Sequence, residues 1–262
     1  MAFKEFMNNL FSNDSIVEEE FVGLQSLESR MLLSADFVGT NGPDVIVGTN
    51  GEDCIVAAGG DDTINGRRGA DTIDAGSGND TVSAGKGADV VDAGSGDDTV
   101  NGGNGGDTVD GGSGDDTVNG GNGGDTVDGG SGDDTLNGQN GNDTIDGGNG
   151  KDNGTGGRGA DNVNGGNGKD ALNGNRGNDV VNGGNGKDVL TWSNAGGSNN
   201  DTYDGGNGKD TLVIDVSGFN QGQLDAVAAF EAELLANGSA SLTIGNDTLN
   251  ASNFESVVLL DS

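Results

Sequence analysis

The chain has no histidine and a single cysteine, Cys54. Those absences remove histidine-ligated zinc and iron sites, histidine-based catalytic triads and any internal disulfide. Basic residues are scarce too: 11 Lys and Arg stand against 44 Asp and Glu in 262 residues, a formal net charge of −33. A surface of that sign repels phosphates, so no nucleic-acid partner is expected. Aromatics make up 4% and apolar residues 30% of the chain, and no run of 18 apolar residues occurs, so no transmembrane helix is encoded. Glycine is plentiful instead, 55 residues, about three times its usual share. Such a composition leaves a disordered polyanion, or a fold in which counter-ions are structural parts.

Composition divides the chain into three. Residues 1–36 hold an apolar, helix-spaced start (Phe3, Phe6, Met7, Leu10, Phe11) and predict a small helical leader or cap. Residues 37–214 contain a glycine- and aspartate-rich array, with an insertion at 191–200, and residues 215–262 return to ordinary globular sequence. Within the array aspartate recurs every nine residues: Asp44, Asp53, Asp62, Asp71, Asp80, Asp89, Asp98, Asp107, Asp116, Asp125, Asp134, Asp143, Asp152, Asp161, Asp170, Asp179 and Asp188. The spacing slips once, by four residues near Trp192, and resumes at Asp201 and Asp210, for nineteen repeats. Glycine stands two residues before each of the first seventeen. Ile, Val or Leu stands two residues after each of them, except at Gly154.

A period of 18 overlies the period of nine. Ser77, Ser95, Ser113 and Ser131 mark alternate repeats and give way to Asn149, Asn167, Asn185 and Asn207. The last three residues of each nonapeptide have strand character, with one apolar side chain on one side and Thr, Asn or Asp on the other. The glycine-rich remainder turns the chain. Two strands and two turns close one coil of 18 residues, and stacked coils pair their strands in parallel about 4.8 Å apart. The prediction is an all-β parallel β-roll solenoid of roughly nine coils, which at that spacing is about 45 Å long.

Burying two aliphatic side chains per coil falls short of the cost of ordering 18 residues. Stacking makes matters worse, because residues 18 apart, such as Asp98 and Asp116, bring like charges together. A cation between them reverses the sign. Two carboxylates and glycine-freed carbonyls form an oxygen-only donor set that suits Ca²⁺, and its binding free energy becomes folding free energy.

The run Gly102-Gly103-Asn104-Gly105-Gly106-Asp107-Thr108-Val109-Asp110 resembles the G-G-x-G-x-D-x-U-x nonapeptide of RTX calcium-binding proteins. The resemblance extends from residue 37 to about residue 210. It implies that all nineteen sixth-position aspartates, Asp44 through Asp210, bind several Ca²⁺ ions between turns n and n+2. It also implies type I secretion, folding after export, and an export signal near the C-terminus. The segment Leu27-Glu28-Ser29-Arg30-Met31-Leu32-Leu33-Ser34-Ala35-Asp36 resembles a leader motif of bacterial surface proteins, which implies an extracellular or cell-surface address.

Departures from the repeat carry expectations of their own. Thr40, Thr49, Ala58, Arg67, Gln139 and Asn175 replace a glycine. Gly154 predicts weaker packing over 150–163, and the insertion puts the Asp179/Asp201 site in doubt. The C-terminal part predicts an α/β cap: a strand at Leu212–Ile214, a helix from Leu224 to Ala236, a hairpin around Gly245-Asn246-Asp247, and a strand from Phe254 to Leu260. A solenoid end leaves unpaired edges, so a cap is physically required.

These features point to a non-enzymatic, secreted or surface-attached calcium-binding roll. Outward Thr and Asn rows leave open a surface or matrix adhesin that binds ice or polysaccharide, against the plainer reading of good strand formers on a solvated face. A non-catalytic fragment of a secreted enzyme is disfavoured, since 36 residues before the array are too few for a catalytic domain. Paired acids such as Asp97-Asp98 repeat as units, so none is singled out as a glycosidic dyad.

Overall fold

The computed structural model describes residues 36–193 and 199–260. Residues 1–35 of the leader region and residues 194–198 of the insertion lie outside the described residues.

Each nonapeptide contributes one strand, and alternate nonapeptides feed opposite sheets. Short strands such as Val90–Asp92, Thr108–Asp110 and Thr126–Asp128 build a 12-stranded sheet. Longer strands such as Thr81–Lys86, Thr99–Asn104 and Thr117–Asn122 build an 11-stranded sheet. Pairing between coils is parallel in both, with an offset of one coil: Val109 stands between Val91 and Val127, and Val118 between Val100 and Leu136. The inward Ile, Val and Leu side chains of the two sheets meet in one continuous core, while flanking Thr residues such as Thr99, Thr108 and Thr117 stay exposed.

Among the described residues about ten coils form, against the roughly nine expected. Asp36–Val38 pairs with Cys54–Val56 and starts the stack, although the sequence has Ala35 where an aspartate would fall. Strand pairing and the inward Phe37, half-buried against the core, suffice there.

Glycine is needed where coils touch. Gly105 has φ 153° and faces the carbonyl of Gly87 so closely that any side chain would collide with it. The second position of the repeat also takes positive φ. Ala58, Arg67, Gln139 and Asn175, which replace glycine there, are forced to φ of 81°, 75°, 72° and 66°, a conformation that strains L-residues.

Strand pairing is kept at two departures from the repeat. A methyl group at Gly154 would meet Leu172 Cδ2 at 2.9 Å and Val163 Cγ1 at 3.2 Å, so neighbouring side chains already fill the space. Strand Asn153–Arg158 stays paired on both sides. Register is kept across the insertion: Val180 pairs with Thr202 and Val189 with Thr211, each offset by 22 residues instead of 18. In the later coils the Ser-to-Asn change adds a third, four-stranded sheet from Asn149–Gly150 to Asn207–Gly208.

The C-terminal region continues the stack as well as covering it. Helix α1, Gln221–Asn237, starts at a capping box between Asn220 and Gln223 and stops at Gly238, φ 76°. It buries Val227, Phe230 and Leu234, while Leu235 remains exposed. The hairpin pairs Ser239–Ile244 with Asp247–Ser252. The latter strand also extends the first sheet in parallel beside Asn200–Asp204, and Ser256–Leu260 extends the second beside Thr211–Asp215.

Candidate metal centres

The strand-to-turn alternation carries the nineteen repeat aspartates into two ladders. One runs Asp44, Asp62, Asp80 and onward to Asp188 and Asp210; the other runs Asp53, Asp71, Asp89 and onward to Asp179 and Asp201. All but the half-buried Asp44 are buried. Their sequence neighbours are not: Asp97 is exposed beside buried Asp98, so the acidic pairs divide between solvent and interior.

Each buried carboxylate uses one oxygen in the same way. From Asp62 to Asp210, Oδ1 accepts the backbone N–H of the aspartate one coil earlier, at 2.7–3.0 Å. The second oxygen differs. In sixteen of the nineteen, Asp62 through Asp188 and Asp210, Oδ2 is buried with no hydrogen-bond partner. Carboxylate oxygens with no donor and little water are costly unless a cation or a proton neutralises them.

Titration behaviour follows from that burial. Asp116, Asp161 and Asp170 are pushed up to about 7, and Asp98, Asp107 and Asp152 to about 6. Desolvation is the largest cause, and carboxylates on neighbouring rungs add to it. The backbone N–H bond to each works in the opposite direction and does not prevail.

The room around these oxygens is made by glycine. A side chain at Gly102 would lie 2.8 Å from Asp107 Oδ2 and 2.6 Å from the carbonyl of Gly120 on the next coil. Glycine there leaves a carboxylate oxygen and a carbonyl oxygen facing one small space. Among the described residues no three His, Cys, Asp or Glu side chains converge. The donors are pairs of carboxylates with backbone oxygens. This set fits a hard, oxygen-seeking divalent cation and offers nothing to a metal that prefers nitrogen or sulfur. Cys54 is exposed.

Three aspartates already have protein partners at the second oxygen or its equivalent. Asp44 Oδ2 accepts the Thr40 N–H at 2.6 Å and the Thr40 hydroxyl at 2.9 Å. Asp53 accepts the Thr49 N–H at Oδ2 and the Thr49 hydroxyl at Oδ1. Asp201 Oδ2 accepts the indole N–H of Trp192 at 2.8 Å, in the interior. The Asp179/Asp201 rung therefore keeps its register yet differs in chemistry. The same coil is tied by Tyr203, whose hydroxyl donates to Thr191 O and accepts the Gly174 N–H. The roles of Thr40, Thr49 and Trp192 were missed by the repeat reading, which saw only departures from glycine. Their signal was a hydrogen-bonding side chain at the first or second repeat position, four to nine residues before the aspartate it serves.

A family model for the RTX calcium-binding nonapeptide repeat matches residues 38–190 in overlapping segments and residues 195–212. No curated protein matches the chain. With the repeat family covering more than half its length, and with buried carboxylate ladders in the turns of a parallel β-solenoid, the chain belongs to the RTX calcium-binding nonapeptide-repeat family.

Proposed function

We propose that this protein is a secreted or surface-attached calcium-binding roll with no catalytic role, assembled when Ca²⁺ enters its turns. The observation that carries the reading is the set of sixteen buried Oδ2 atoms without partners. Bound Ca²⁺ would supply the positive charge these oxygens lack. The chain's own residues do the rest. Sixth-position aspartates present the carboxylates, glycines expose carbonyls, and the backbone N–H of the preceding rung holds each carboxylate in place. Donor sets of this kind, with few charges and flexible turns, suit affinities of about 10⁻⁴–10⁻³ M, which match an extracellular milieu. Among the described residues no helix is long and apolar enough to cross a membrane.

Circular dichroism during a Ca²⁺ titration, with Mg²⁺ as control, tests the reading. Folding should be cooperative in Ca²⁺ and absent in Mg²⁺. A metal-free chain already rich in strand structure sinks it.

A second reading, binding of polysaccharide or ice, rests on the regular outward rows. Asn149, Asn167, Asn185 and Asn207 bond side chain to side chain at 2.9–3.0 Å up one edge, and exposed Thr residues stand in register on both sheets. It requires calcium-dependent retention on such a surface, and no retention removes it.

A further inference from the structure

The two aspartate ladders meet the cap differently. Asp201 stands in register with Leu249, so no carboxylate continues its ladder at that register, although the buried Asp247 lies near enough to raise its pKa. In the other ladder Thr211 pairs with Ser256, which puts Glu255 in register with Asp210. The backbone there repeats the bonding of a coil. Asp210 N–H donates to Glu255 Oε2 at 2.6 Å, as Asp188 N–H donates to Asp210 Oδ1 at 2.9 Å. Ser256 N–H donates to Asp210 O, as Thr211 N–H donates to Asp188 O. Gly205 N–H donates to Ser252 O, as Gly183 N–H donates to Asp204 O. Gly205 faces the carbonyl of Asn253 as Gly183 faces the carbonyl of Gly205. Val257 stacks on Leu212 in the inward position. The family match stops at residue 212, yet residues 252–257 form one more half-coil, with glutamate at the aspartate position.

Asp210 is fully buried, and its Oδ2 has no partner. We infer that Asp210 and Glu255, with the Asn253 carbonyl, form a terminal Ca²⁺ site that ties the cap to the last coil. The inference rests on the calcium reading of the roll and adds a ligand from outside the repeats. Glu255 could instead serve only as acceptor for the Asp210 N–H. A glutamine would do that equally well, because its amide oxygen also accepts, so the charge is what separates the two roles.

The test is calorimetric Ca²⁺ stoichiometry on the full chain, for the parent, Glu255→Gln, Asp210→Asn and the double variant. Glu233→Gln, on the exposed face of α1, is the control. Each single variant should bind one ion fewer than the parent, the double variant no fewer than either single, and the control as many as the parent. Hydrogen exchange should show Ser256–Leu260 less protected in Glu255→Gln at saturating Ca²⁺. A Glu255→Gln chain that binds as many ions as the parent, with equal affinity, overturns the site and leaves the roll's calcium reading standing. A parent that binds no calcium sinks both. Should Glu255→Gln not assemble, Glu255→Asp decides, since aspartate is the residue every other rung uses at this register. It should bind as the parent does, and an assembled Glu255→Asp chain that binds one ion fewer overturns the site.

Discussion

The interior rungs of the roll and its outermost ones face the same electrostatic problem and solve it differently. From Asp62 to Asp188 each buried carboxylate keeps one oxygen without a protein partner. At the first coil Thr40 and Thr49 fill that need, and near the last coil the Trp192 indole does, while Asp210 at the end of the other ladder keeps an unpartnered Oδ2 like the interior. The interior thus depends on something added from solution, whereas these end rungs carry their own donors. A hydroxyl or indole needs space, which is easier to find beside a terminal coil or an insertion than between coils in close backbone contact.

Removing calcium with chelator should break the comparison most severely. The interior rungs lose their counter-charge together, and most of the far-ultraviolet strand signal should vanish. A chain that keeps its compact shape in excess chelator contradicts the account of the interior.

Acid should partly replace the cation. Burial raises the folded-state values of Asp98 and Asp107 to about 6 and of Asp116 to about 7, from 3.8. Each such shift favours the protonated form in the folded state. The metal-free roll is therefore most stable below pH 3.8, and that stability is lost as pH rises through 6 to 7. Circular dichroism in chelator should show strand structure growing as the pH is lowered from 8 to 4; growth in the opposite direction refutes the assignment.

Single substitutions sharpen the contrast. Asp107→Asn should weaken calcium binding, read as a higher Ca²⁺ midpoint or a lost ion, because Asp107 Oδ2 has no protein partner. Asp201→Asn should leave the ion count unchanged, because the indole holds that oxygen. Equal effects from the two would erase the distinction. Trp192→Phe strands Asp201 Oδ2 and should cost about 1–3 kcal/mol in denaturant unfolding at saturating calcium. The smallest effect is expected at Ala58, held at φ 81°. Ala58→Gly should stabilise the roll by about 1 kcal/mol, because glycine carries no penalty in that conformation.

Much of this was legible beforehand because the code is periodic. A period of nine with an apolar residue two places after each aspartate defines strand, turn and coil without long-range information. Helix α1 and the hairpin were readable from the apolar spacing at Leu224, Val227, Phe230 and Leu234 and from the Gly245-Asn246-Asp247 turn. The soundness of packing at Gly154 was not readable, since it depends on Leu172 and Val163 reaching across from other strands. The Asp36–Val38 strand was missed because no aspartate marks it. Glu255 was missed because nothing in the repeat pattern extends past the helix.

By itself the sequence determined the coil, its parallel stacking and the burial of one carboxylate per turn, because a strict local repeat leaves the backbone one way to close and stack. Tertiary structure decided which carboxylates find a partner brought in from another strand. It brought Trp192 to Asp201 and Glu255 to Asp210. The second pair lies 45 residues apart, and register between distant strands is a property of the assembled stack.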